Sequence, residues 1–444
     1  MTTAALVSVV RTLRYDGIPD DARLVAAQCL LDFCGCALAG AHDPLVHILV
    51  GEVALREHAT EASLVGRKER ATAVTAALVN GAAGHALDYD DTHTTMMGHP
   101  SVPVIPAALA LAEATGAGGR RLIEAIVAGF ELECRLGGLL GAGHYLAGFH
   151  ATATVGTFGA AAAAAHLLGL DADQWLCALG LAGTQAAGLK ASFGTMAKPL
   201  HAGRAAATGL QAALLARRGF TAATAVVECP QGFAATHAAG PASDVWLEQS
   251  RGRFFICDTL FKHHAACYLT HAAIEATTAL RQRHQLVPDS VHEIEVHVAP
   301  AVLGTCNISE PNTGLELKFS LRATTALALT GEDTAAPETY SDAKAADPML
   351  VAVRNRVRVV EDSELVPTRA RVVVHANGDR FEGEADTGVP SRDLQAQQIL
   401  LERKFRALAS PTLGASRTEE AIVAVASVAD APDAAALLAA LRTD

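Results

Sequence analysis

Apolar residues recur at helical spacing through the first two thirds of the chain, over residues 21–39, 70–87, 103–115, 119–136, 151–168, 173–187 and 200–217. Glycines stand at the ends of many of these stretches (Gly40, Gly116, Gly137, Gly169 and Gly219), where a residue in the left-handed conformation can close a helix. After about residue 285 the texture changes. Val291–Val298 alternates with period two, Val357–Val360 is β-branched, and Arg371–Glu384 reads as two strands around Asn377-Gly378, a hairpin signal. Ser320–Leu329 and Ser341–Asn355 are helical between them. From Asp393 the chain is helical again, through DLQAQQILLERKFRALA and residues 418–443, and is expected to return to the first domain. The expected fold is mainly α, with a large all-helical domain over 1–268 and 396–444 and a smaller α+β domain over 269–395.

Composition narrows what such a fold can serve. Half of the chain is hydrophobic but only 5% is aromatic and 18% charged, so the apolar mass is Ala, Leu and Val, which suits closely packed helices. A formal net charge of -12 argues against nucleic acid as the main partner, because phosphate neutralisation needs a basic face. A small anionic substrate is compatible with it, since that responds to charge in the pocket and not to the total. The nine cysteines are scattered, with no second pair at zinc spacing, and read as reduced cytoplasmic thiols. No charged region precedes the N-terminal apolar stretch, so no secretion signal is expected. Ala151 to Leu170 could imitate a membrane span, yet it holds Gly156, Gly159 and His166 and is mostly alanine, a weak insertion residue. It reads as a buried core helix, and no membrane span is expected.

Three loop-to-helix junctions carry basic side chains. His99-Pro100 precedes one helix, His150 opens the alanine-rich one, and Lys198-Pro199 opens another. Free N–H groups and positive partial charge at helix N-termini suit a carboxylate, so three such ends would form a polyanion pocket if they converge. The segment His85-Ala-Leu-Asp-Tyr-Asp-Asp-Thr-His93 is the densest polar cluster, with Asp88, Asp91 and Thr92 expected within one helical turn. Acid/base work, substrate contact, a solvated loop and a metal site are all compatible with it. The metal reading is weakened because no second acid-rich motif accompanies it. A second basic cluster runs from Lys262 through His263, His264 and Cys267 to His271, where positive potential would lower a thiol pKa. Its bland reading is a surface loop followed by a helix.

The strings HALDYDDTH, GHPSVPVIPA, GHYLAGFHATATVGTFGAAAAA, ASFGTMAKPLHAGRAA, CYLTHAAIEA and LELKFS, in this order, resemble the signature of the MmgE/PrpD family over most of the chain. That family includes 2-methylcitrate dehydratase, cis-aconitate decarboxylase and iminodisuccinate epimerase. The resemblance implies a helical domain, an α+β lid, a homodimer, and no metal or organic cofactor. It also implies that Asp88, Thr92, His99, His150, Lys198 and Lys262 line the cleft. Decarboxylase-like members carry a histidine where this chain has Cys267, and many members a tyrosine where it has Ala323. The gap from Thr92 to His99 and the GHYLAGFH string are most similar to the epimerase branch.

The expected activity is therefore proton transfer at a carbon α to a carboxylate of a small di- or tricarboxylate, as an epimerase. His99, Asp88 and Cys267 would be catalytic, with Thr92, His150, Lys198 and Lys262 on the substrate. The alternative within the family is a lyase, a dehydratase or decarboxylase, acting on a citrate- or aconitate-like acid. A metal-dependent hydrolase or a non-catalytic helical binding protein would be the alternative of another class.

Overall fold

The computed structural model describes residues 2–54, 56, 58–238, 246 and 254–443. The chain forms two compact units, Met1–Phe261 with Arg392–Asp444, and Lys262–Ser391. The division falls after Phe261 and Ser391, upstream of the expected 268 and 395.

The first unit is built on α1 (Asp20–Gly40), α2 (Ala73–His85), α3 (Ser101–Thr115), α4 (Gly119–Leu140), α5 (Ala151–Leu168), α6 (Ala172–Gly183) and α7 (Ala197–Arg217). At its centre α5 packs against α3, α4, α6 and α7, and every residue from Ala151 to His166 is buried. A helix apolar on all sides belongs inside, and alanine and glycine let its neighbours come close. Gly203 on α7 is an instance: a Cβ there would stand 2.1 Å from the Leu78 carbonyl oxygen of α2. α1 and α5 are long and apolar enough to cross a membrane, but 78% and 89% of their apolar windows are buried within the fold.

Three expectations need correction here. The first unit is not wholly helical, because Ala62–Ser63 (β1) and Arg70–Ala71 (β2) pair as short antiparallel strands. That pairing delays α2, which starts at Ala73 behind a Thr72 side-chain cap and not at residue 70. Gly116 and Gly169 do close their helices in the left-handed region, and Gly219 has a positive φ just after α7. Gly40, by contrast, is the last residue of α1 itself and Gly137 lies inside α4, and neither takes a positive φ. A Cβ on them would meet the Ala83 carbonyl oxygen at 2.1 Å and the Met96 Cα at 2.7 Å, so close packing and not helix ending is their reason.

The second unit holds a four-stranded sheet in the order β4-β3-β5-β6. Its strands are β3 (Val291–Val298), β4 (Val357–Glu361), β5 (Arg369–Ala376) and β6 (Asp379–Asp386), with β3 and β4 parallel and the other pairs antiparallel. Asn377 and Gly378 both take positive φ (54° and 86°), the requirement of the tight turn that their sequence announces. Helices α8 (His271–His284) and α9 (Leu321–Thr330) pack on each other, and α8 covers β5 and β6. The stretch 341–355 forms two short helices, Asp342–Ala345 and Pro348–Arg354, because Asp347-Pro348 starts a fresh one. Back in the first unit, α10 (Leu394–Leu413) lies along α1, and α11 (Ala415–Ala426) follows it.

Candidate active site

The polar cluster after α2 is not helical. α2 ends at His85, and Asp88 takes a left-handed backbone (φ 51°), a conformation that aspartate tolerates better than most residues. Asp88, Asp91 and Thr92 therefore do not share a helical turn. Asp88 points outward, its side chain 45% exposed, whereas Asp90 and Asp91 are fully buried. Thr92 forms a backbone bridge with Leu260, and its hydroxyl reaches toward the same Leu260 carbonyl oxygen at 3.5 Å.

Buried polar contacts fix this loop. Lys404 of α10 extends Nζ to the Tyr89 carbonyl oxygen and to Asp32 Oδ1, both at 2.6 Å, while lying over the Tyr89 ring. Asp91 accepts from the Ser101 amide (3.2 Å) and hydroxyl (2.5 Å), which seats the start of α3. Burial, reinforced by the nearby Asp32, pushes the Asp91 carboxyl up to about 8, so it keeps its proton at neutral pH.

On this frame the helix starts converge. The His99 amide donates to Thr152 Oγ1 in the first turn of α5 at 3.0 Å. His150, just before α5, places Nδ1 3.2 Å from His201 Nδ1 on α7. The His85 ring meets the His99 ring edge-on at 4.6 Å and stacks on the His150 ring at 5.9 Å. Asp90 stands between two histidines, with its oxygens 2.9 and 3.0 Å from His85 Nδ1 and Oδ2 3.0 Å from His99 Nδ1. On its other side His99 Nε2 is 3.6 Å from Asp88 Oδ1, and Lys198 Nζ lies 2.7 Å from Asp88 Oδ2. Phe193 packs edge-on against His150 and lies under the Lys198 ammonium.

The charges follow from burial and neighbours. Burial alone would raise the Asp90 carboxyl, but the two histidines outweigh it and hold it well below the usual range. His85 is pushed down to about 4 by burial, against the pull of Asp90, and is neutral near pH 7. Burial, with His85, His99 and Lys198 adding to it, also lowers His150 far below an ordinary histidine. His150 is thus a neutral hydrogen-bonding ring and not the cationic clamp that its position in the sequence suggests. Lys198 supplies the positive charge.

The structure brings Asp88, His99, His150 and Lys198 together. Lys262 and Cys267 belong to the second unit, where the Cys267 amide donates to the Lys318 carbonyl oxygen and its thiol is hydrogen-bonded with Cys306. Sequence reasoning missed His85, Asp90 and His201 as individual members. A signal for His201 existed: it follows Lys198 by three residues on α7, and side chains at that spacing share a face. Ligand atoms of His85, Asp88, Asp90 and His99 lie within 4.8 Å of one another, close enough for a metal ion. They do not fit one well, because the Lys198 ammonium already occupies the Asp88 carboxylate and would repel a cation.

Comparisons with known proteins show the family. Residues 4–245 match the MmgE/PrpD N-terminal domain and residues 264–430 the MmgE/PrpD C-terminal domain. Cis-aconitate decarboxylase of Mus musculus is 26% identical over 99% of this chain and 93% of its own length. That of Homo sapiens is 27% identical over 99% and 94%. Cis-aconitate decarboxylase of Aspergillus terreus is 32% identical over 64% of this chain and 60% of its own length. Matched through both of its domains, the chain belongs to the MmgE/PrpD family and is an enzyme of the isomerase or lyase type found there.

Proposed function

We propose that the protein is a lyase that removes CO2 from a small unsaturated polycarboxylate of the cis-aconitate kind. The observation that carries this reading is the placement of His99. One ring nitrogen faces a buried carboxylate, and the other faces the half-exposed Asp88–Lys198 pair. The decarboxylase names of the relatives favour the lyase over the epimerase that the GHYLAGFH string and Cys267 suggest.

Loss of CO2 from such an acid breaks a carbon–carbon bond and leaves its electron pair on carbon, conjugated with a remaining carboxylate. Two things are then needed: positive charge beside that carboxylate and a proton for the carbon. Lys198 supplies the first, exchanging its bond to Asp88 for one to substrate. His99 supplies the second through Nε2. His150 and His201 offer neutral hydrogen bonds, and Phe193 an apolar wall. Lys262 and Cys267 are further candidates, as a second carboxylate clamp and a thiol contact.

The test is a panel of di- and tricarboxylates incubated with the enzyme in deuterated water and followed by NMR. The proposal expects CO2 release with one deuterium placed on the product carbon. Inversion at a stereocentre without CO2 or water loss would return the reading to an epimerase, and water loss to a dehydratase.

A further inference from the structure

Asp90 has no exposed side-chain surface, and its carboxylate lies between His85 and His99. A neutral imidazole has one proton to give. His85 gives its own to Asp90, because Nδ1 is the nitrogen in contact, and its Nε2 is then an unprotonated buried nitrogen with no hydrogen-bond partner among the described residues. The His99 Nδ1 is also within hydrogen-bonding distance of Asp90 at 3.0 Å, although its N–H is out of line with the oxygen. A modest turn of the ring aligns it, and catalytic hydrogen bonds commonly tighten in this way when substrate binds.

We infer that Asp90 is a positioning residue that fixes the resident proton of His99 on Nδ1, so that Nε2, on the Asp88 and Lys198 side, is the nitrogen that takes up a solvent proton to form the imidazolium and then gives that proton to the substrate carbon in turnover. His85 has a part in this. By donating from the buried side, it holds the Asp90 carboxylate in place when His99 changes charge. Asp91, the adjacent buried acid, cannot replace Asp90, because it is engaged with Ser101 and turned toward α3. The inference rests on the lyase reading for its kinetic consequence alone, since the tautomer is a property of the free enzyme.

The test is long-range 1H–15N NMR of the imidazoles in uniformly labelled, substrate-free protein, with the His99 signals assigned by their loss in His99→Gln. The wild type is expected to carry the His99 proton on Nδ1, and Asp90→Asn to move it wholly or partly to Nε2. With the substrate identified by the panel, Asp90→Asn should lower kcat by about a hundred- to ten-thousandfold and change KM far less. A wild-type His99 proton found on Nε2 overturns the inference, whether or not the variant folds. So does an Asp90→Asn enzyme with unchanged tautomer and kcat. If no polycarboxylate turns over, the lyase reading fails and the NMR result still decides the role of Asp90.

Discussion

In the proposed mechanism Lys198 is the ammonium set against a substrate carboxylate, which makes it the residue whose loss is most informative. Lys198→Ala removes a charge-assisted contact of about 1.5–3 kcal/mol and should lower kcat/KM by about ten- to a hundredfold or more. Asp88, half exposed, can be hydrated in that variant, so the melting temperature should hardly change; normal kinetics would place the substrate elsewhere. Cys267→Ser makes the opposite kind of prediction. A lyase needs only one proton delivered, so replacing the thiol should cost about tenfold or less, whereas a two-base epimerase would lose inversion. His99, His150 and Lys198 were legible because each sits at a helix start, and Asp88 because it lies in a dense polar string. Asp90 and His85 were not, although they lie in the same short string. Both carboxylates are buried; the two histidines beside Asp90 hold it ionised whereas Asp91, next to Asp32, keeps its proton, and such neighbours have no signature at the spacing of one residue.

At the scale of elements, the site depends on how closely α2 and α7 approach. Gly203 faces the Leu78 carbonyl oxygen and Gly81 faces Gly203, so the two helices meet backbone to backbone two residues from His201. Gly203→Ala should force them apart, costing about 1–3 kcal/mol of stability as overpacking. The same variant should lower activity by shifting Lys198 and His201 relative to His85. Calorimetry and a rate measurement check this together, and a variant as stable as wild type would show that the helices can separate freely. The α5 span was legible to the residue, because an alanine run closed by a glycine leaves little choice. The roles of Gly40 and Gly137 were not, because a glycine that ends a helix and one that admits a neighbour look alike in sequence. The break at Asp88 was hidden for a related reason. Nothing before the loop marks the helix end, and the contacts that shape it come from Lys404 and Leu260, far along the chain.

The molecule as a whole buries many neutral histidines. Nine of the described histidines, among them His85, His93, His150 and His271, bind protons less readily than in an unfolded chain, burial being the main cause. As pH falls from about 6.5 toward 4, the unfolded chain takes up protons that the folded one refuses, so stability falls over that window. His85 alone, held at about 4, contributes on the order of 3 kcal/mol to this loss. Three buried carboxyls, Asp91, Glu131 and Glu133, are shifted up and oppose the trend, Asp91 by at least as much as His85 supports it, so the fall rests on the other histidines. The melting temperature should therefore drop steadily from pH 7 to pH 4.5, and a flat profile would mean that these rings accept protons in place. The family-wide architecture was legible in the change from helical to alternating texture and back. The division between units was displaced because Lys262–Tyr268, read as a continuation of the helical domain, joins the sheet-bearing unit through contacts such as Ala265 with Thr334 and Cys267 with Lys318.

The central claim, that a His99-delivered proton replaces a departing carboxylate, is tested most directly by one measurement. Purified enzyme is given cis-aconitate in deuterated water, and released CO2 and product deuterium are counted together, for wild type and for His99→Gln. The account predicts one CO2 per product, one deuterium on a carbon of the allylic system left by the broken bond, and a rate reduced by about a hundredfold or more in the variant. Full CO2 release by His99→Gln at the wild-type rate, or turnover of a carboxylate with its carbon skeleton intact, would contradict it.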